Sequence, residues 1–168
     1  AYVFEDLLKR YLQYRGYAVH HIMNLTDVED KLIRTCRETG QSLKALTDKY
    51  AQAFFEDLDT LGIVRADAYP AATDHIPEMI EIIKALRDKG HTYEANGSIY
   101  FRLASYPGYG KLSHMDLDQL REGGSGRVDN DEYETDDPRD FALWKADVPE
   151  DGEVFWETEL GKGRPGWH

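Results

Sequence analysis

Tyr17-Ala18-Val19-His20-His21-Ile22-Met23 runs directly into Asn24-Leu25-Thr26-Asp27-Val28-Glu29-Asp30, and this junction decides the fold. The first seven residues are rich in β-branched, aromatic and apolar side chains and read as a short strand. Asn24 to Asp27 breaks the strand. Thr26 followed three residues later by Glu29 matches a capping box, so a helix is expected to begin there and run through Leu32 and Ile33 towards Gly40. Where a strand hands over to a helix in an open α/β sheet, polar side chains at the strand's carboxyl end face a ligand. The helix start adds free backbone N–H groups and a positive dipole end. Two plainer readings stand beside this one. Thr26 serves as an N-cap, worth about 1 kcal/mol, and Asp27, Glu29 and Asp30 are the carboxylates that a helix start favours rather than a magnesium site.

Working outward, Val3, Phe4, Leu7, Leu8, Tyr11 and Leu12 repeat at helical spacing before Gly16. Downstream, Ser42 is the expected N-cap of a long amphipathic helix through Leu43, Leu46, Tyr50, Phe54, Leu58 and Leu61 that ends at Gly62. Helix, strand, helix, helix suits an α/β layer better than an all-α bundle. Ile76, Met79, Ile80, Ile83 and Leu86 predict a further helix closed by Gly90. Then the character changes. Residues 92–95 and 98–103 flank Asn96-Gly97, the strongest short hairpin signal. A short helix is predicted over 112–120 and an exposed acidic loop over 121–140. Short strands are predicted over 141–145 and 154–156, around a Pro149/Gly152 turn. The chain ends in Gly163-Arg164-Pro165-Gly166-Trp167-His168, where glycine and proline lead tightly to an indole that either walls a pocket or anchors a core.

Composition narrows the function classes. With 168 residues, 41% hydrophobic and 31% charged, one compact domain or a half-domain with a small insert fits. A net charge of −12, with no dense Lys/Arg cluster, argues against broad non-specific nucleic-acid binding. No apolar run approaches the roughly 18 residues of a membrane span. The first residues do not resemble a secretory signal, and the single cysteine, Cys36, suits a reducing compartment. The expected location is the cytoplasm, with no membrane partner.

Reactive side chains are scattered. His20 and His21 are adjacent on a presumed strand and point to opposite faces, so they do not share a metal. Cys36 has no Cys or His neighbour at zinc-ligand spacing and no identifiable activating base. There is no Gly-x-Ser-x-Gly elbow and no phosphate loop of the Gly-x-x-x-x-Gly-Lys-Ser/Thr type. Neither a complete catalytic set nor a metal site is visible.

Read in order, the motifs resemble cysteinyl-tRNA synthetases. They are Tyr2-Val3-Phe4-Glu5-Asp6-Leu7-Leu8, Met23-Asn24-Leu25-Thr26-Asp27-Val28-Glu29-Asp30-Lys31 and Phe55-Glu56-Asp57-Leu58-Asp59-Thr60-Leu61-Gly62. Ala72-Thr73-Asp74-His75-Ile76-Pro77-Glu78-Met79-Ile80 and Lys89-Gly90-His91-Thr92-Tyr93 follow. Then come Tyr109-Gly110-Lys111-Leu112-Ser113, Asp140-Phe141-Ala142-Leu143-Trp144-Lys145 and the Gly163 to His168 end. Each string is weak alone, but together they span essentially the whole chain in family order.

The resemblance implies a class I synthetase catalytic domain: an α/β, partly present nucleotide-binding (Rossmann-like) fold interrupted by a small α+β insert with a β-hairpin. Residues 1–70 would be the first part of the catalytic domain, 71–160 the connective insert and 161–168 the return. It implies activation of L-cysteine with ATP and transfer to tRNA(Cys). Carried over by position, Thr26 would lie beside the bound cysteine with Asn24, Leu25 and Asp27 around it, and Trp167 would line the pocket with His168 beside it. Zn2+ and ATP/Mg2+ would belong to the intact enzyme, with none expected on this chain alone. The family's first zinc cysteine and its His-Ile-Gly-His-type motif would precede Ala1, and the remaining zinc ligands and the Lys-Met-Ser-Lys-Ser-type loop would follow His168. His20-His21-Ile22-Met23 and Lys111-Leu112-Ser113-His114-Met115 are decoys for those two signatures. The 168-residue chain alone is therefore expected to be inactive. Two alternatives remain: the related cysteine ligase of mycothiol biosynthesis, and a non-catalytic binding module of synthetase ancestry. The apolar face of residues 17–23 is expected to be partly exposed and to promote self-association.

Overall fold

The structure is a computed structural model that describes residues 1–114 and 139–166. The chain divides into two compact units, Ala1–Ile76 and Pro77–His168. The predicted helix over 112–120 and the acidic loop over 121–140 lie mostly outside the described residues, and Trp167 and His168 lie wholly outside them.

In the first unit, α1 (Tyr2–Tyr14) is followed by α2 (Asp30–Thr39) and α3 (Leu43–Thr60). The predicted helix starts and stops recur where local chemistry dictates them. Ser42 Oγ accepts the Ala45 N–H at 3.2 Å to cap α3. Gly40 takes a left-handed φ of +68° after α2 and donates its N–H to Cys36 O, which a residue with a Cβ would do under strain. Val28, Ile33, Leu46, Leu58, Ile63, Ala72 and Ile76 are buried as the unit's core.

The docking of α1 is not what its apolar stripe suggests. Its polar side docks: Asp6 Oδ1 accepts the Val64 N–H at 2.9 Å, Arg10 donates to Gly62 O at 2.6 Å, and buried Lys9 donates to Arg65 O at 2.9 Å. Val3, Phe4, Leu7, Leu8 and Tyr11 stay exposed.

Two expectations at the deciding junction need correction. Residues 17–23 do not form a full strand; only Ile22 and, beyond it, Leu25 make parallel bridges, to Ala68 and Ala71. A parallel ladder needs a partner strand, and here the partner is the short 67–72 segment alone, through Met23 N to Ala68 O and Asp67 N to His21 O. The capping box does not close either. Glu29, not Thr26, is the N-cap of α2, extended at φ −162°, ψ 167°, and no side chain caps it.

The second unit carries most of α4 (Ile76–Asp88), which buries Ile80 and Ile83. Its sheet consists, among the described residues, of β1 (Thr92–Ala95), β2 (Ser98–Phe101), β3 (Phe141–Ala146), β4 (Trp156–Thr158) and β5 (Gly161–Pro165). The strand order is β1-β2-β3-β5-β4, antiparallel throughout. The Asn96-Gly97 hairpin forms as predicted. Both residues have positive φ, +50° and +78°, so Ala95 pairs with Ser98 across a two-residue turn. The predicted strand at 154–156 is displaced to Trp156–Thr158 because Val154 is held by a turn, its N–H donating to Asp151 O. Residues 161–165, read from sequence as leading back to the first layer, are an inner strand of this sheet.

The core of this sheet lies on β2 and β3. Ser98, Ile99 and Tyr100 are buried in succession, which covers both faces of β2. Trp144 is completely buried. Asp151 and Arg164, both nearly inaccessible, form an ion pair at 3.0 Å that ties β5 to the turn before β4.

Candidate functional site

Leu25, Thr26 and Asp27 form one wall of a cleft in the first unit, of about 260 Å³. Leu32 of α2 and Thr47, Tyr50, Ala51 and Phe54 of α3 supply a largely apolar opposite wall, with Asp48 and Ala71 at its margin. These α3 side chains share one face because they recur at helical spacing. Asp48 is engaged by Lys44 at 2.8 Å, and that carboxylate raises the Lys44 pKa above its ordinary value.

The polar wall is held by the 70–73 segment. Leu25 N donates to Pro70 O at 2.8 Å, and Ala72 N donates to Leu25 O at 3.0 Å. Asp27 Oδ1 accepts the Thr73 N–H at 2.9 Å, and Asp27 Oδ2 accepts the Thr73 hydroxyl at 2.5 Å. Thr26 lies between these two anchors, exposed, with Asn24 Nδ2 donating to its Oγ1 at 3.3 Å. The geometry therefore brings Asn24, Leu25, Thr26 and Asp27 together as one preorganised loop. Trp167 and His168, the other two site residues expected from sequence, lie outside the described residues.

Sequence reasoning missed Thr73. Its partner is 46 positions away, and a threonine before an apolar helix reads locally as a turn or cap residue. The weak signal available was its place beside a helix start, just before Ile76.

The described residues do not provide a zinc donor set: no group of three or more His, Cys, Asp or Glu side chains is placed to hold a metal. Cys36 sits on α2, and burial pushes its thiol pKa upward, away from thiolate chemistry. The two adjacent histidines behave as their strand-like alternation implies: His20 is exposed, while His21 is half-buried and donates its backbone N–H to Asp67. That hydrogen bond, with help from Lys9, holds the Asp67 carboxyl below the ordinary carboxylate range. Among the described residues no helix is long and apolar enough to cross a membrane.

Comparison with known proteins gives the loop a family context. The family model for the class I (C) tRNA synthetase catalytic domain matches residues 1–168. A protein of Brachyspira hyodysenteriae named cysteine–tRNA ligase is 54% identical over 168 residues, covering 100% of this chain and 35% of that protein. One of the same name from Chlamydia muridarum is 54% identical, covering 99% of the chain and 35% of the relative. Another, from Geobacillus thermodenitrificans, is 49% identical over 97% of the chain and 34% of the relative. The chain thus spans about a third of the length of the curated relatives it matches. A match along every residue shows that this chain belongs to the class I (C) tRNA synthetase catalytic-domain family.

Proposed function

We propose that the protein carrying this chain is a cysteine–tRNA ligase: it joins L-cysteine to ATP to give cysteinyl-adenylate and pyrophosphate, then passes the cysteinyl group to the 3′ end of tRNA(Cys), releasing AMP. The observation that carries this reading is identity of about half the residues, over the whole chain, to proteins named for that activity. The reaction asks for positioning and for stabilisation of phosphate charge, with no protein nucleophile. That agrees with a loop that brings Thr26 to a cleft.

In this reading Thr26 borders the amino-acid subsite, Asn24, Leu25 and Asp27 shape it, and Trp167 and His168 complete it. The first unit is the part of the nucleotide-binding domain present here. Residues 71–160 are the connective insert, and residues 161–168 lead back to the catalytic domain. ATP with Mg2+, and Zn2+ that would take the substrate's thiolate as a soft ligand, would belong to the intact protein. Among the described residues no donor set for zinc is present. The working compartment is the cytoplasm.

The test is cysteine-dependent ATP–pyrophosphate exchange and tRNA charging by the full-length protein, with the 168-residue chain inactive in both. A full-length protein that joins cysteine to a glucosamine–inositol acceptor and leaves tRNA uncharged would replace this reading with that of the mycothiol enzyme.

A further inference from the structure

We propose that Thr73 is a positioning residue of the amino-acid subsite: by clamping Asp27 it withholds Thr26 from capping α2 and leaves the Thr26 hydroxyl facing the cleft. The inference rests on the reading of the cleft given above.

Local sequence and tertiary structure compete at this point. Thr26 and Glu29 satisfy the capping-box pattern, in which the threonine oxygen accepts the backbone N–H of the residue three positions on. A chain that followed this preference would begin its helix at Val28 or before, and the Thr26 hydroxyl would be spent on the backbone. In the structure α2 begins at Asp30 and Glu29 is extended. What opposes the local preference is the pair of hydrogen bonds from Thr73, through its N–H and its hydroxyl, to the two oxygens of Asp27. A carboxylate accepting two such bonds is a stronger anchor than a neutral cap. The clamp acts on the residue after Thr26, while the Leu25 backbone is held by Pro70 and Ala72 on the residue before it. Thr26 is therefore bracketed on both sides, and among the described residues its own side chain is engaged by Asn24 alone, at a long 3.3 Å.

The backbone half of the clamp survives any side-chain change at Thr73, so the hydroxyl half is the part to remove. In the full-length protein, Thr73→Val keeps the shape and deletes the donor. The expected result is a rise of about tenfold in KM for cysteine in pyrophosphate exchange, with KM for ATP unchanged. Thr73→Ser restores the donor and the cysteine KM. Should Thr73→Val melt well below the parent protein, Asp27→Asn, which keeps the shape but removes the charge, is read instead and is expected to raise the cysteine KM similarly. In the double variant the two effects do not add, because both remove one interaction. Thr26→Val separates the two levels of the argument. If it raises the cysteine KM while Thr73→Val and Asp27→Asn do not, the clamp is refuted and the subsite stands. If Thr26→Val itself is silent, the subsite reading falls and takes the clamp with it.

Discussion

Gly163→Ala tests the packing of the second unit most sharply. A methyl group at Gly163 would lie 2.2 Å from Lys145 O and 2.7 Å from Trp144 Nε1. Neither neighbour can yield, since one is backbone in the paired strand β3 and the other belongs to a side chain with no solvent exposure. Reaching an ordinary contact of about 3.5 Å requires β5 to move roughly 1 Å away from β3. Overpacking of this kind costs about 1–3 kcal/mol. The same movement stretches the interstrand bonds beside it, including Asp147 N to Lys162 O at 3.1 Å and Gly166 N to Leu143 O at 2.9 Å. Each bond lost adds about 1 kcal/mol. The expected destabilisation is therefore about 3–5 kcal/mol, a fall of at least roughly 12 °C in melting temperature for a unit of this size. Trp144 and Trp156 stand on strands of the second unit's sheet and the first unit has no tryptophan, so tryptophan fluorescence during thermal or urea unfolding follows that sheet. Gly90→Ala is the control. Gly90, unlike Gly163, has a positive φ, +76°, but a Cβ there meets nothing within 4 Å, so only backbone strain of about 1–2 kcal/mol is incurred. Equal fluorescence midpoints for the two variants would refute the close-approach reasoning.

Three further outcomes are expected. The carboxyl pKa values of Asp6 and Asp67 are lowered, chiefly by the Arg10 guanidinium and by the His21 backbone N–H respectively. Their stabilisation of the fold is thus fully present above the ordinary carboxylate range and lost as pH falls below about 4. Far-UV circular dichroism in urea should show the helical unit weakening across that window, and an unchanged pH slope in Asp6→Asn and Asp67→Asn would contradict the assignment. Burial raises the pKa of the Cys36 thiol, so iodoacetamide should modify it slowly at pH 7 and faster only well above the free-thiol range; labelling as fast as free cysteine at pH 7 would count against this. The exposed apolar residues of α1, among them Phe4 at 79%, Val3 at 62% and Leu7 at 61% exposure, should drive self-association of the 168-residue chain. Light scattering is expected to show it for the parent and not for the Phe4→Glu/Leu7→Glu variant, and a monomeric parent at high concentration would disprove it.

Elements with strong local codes were legible in the sequence. Ser42 caps α3, Gly40 ends α2, and Asn96-Gly97 turns the hairpin because each rests on interactions within a few residues. The loop Asn24–Asp27 was legible as a candidate site through its position after an apolar run and through family resemblance. The strand before it was overestimated, because propensity does not say how much partner a strand will find. Strand β5 was overlooked, because glycine, lysine and proline carry low strand propensity. Its place is set instead by the close approach that Gly163 and Gly166 allow and by the buried Asp151–Arg164 pair.

The amino-acid sequence by itself determined the family, the start of α3 at Ser42, the end of α2 at Gly40 and the short loop on which the candidate site is built, since all of these are written in contiguous residues. Which side of α1 docks, where α2 begins and what the Thr26 hydroxyl faces were decided only by tertiary structure. The physical reason is the same in each case. A local preference such as a capping box stabilises by about 1 kcal/mol, and a charge-assisted hydrogen bond from a residue distant in sequence, here Thr73 to Asp27, is strong enough to override it.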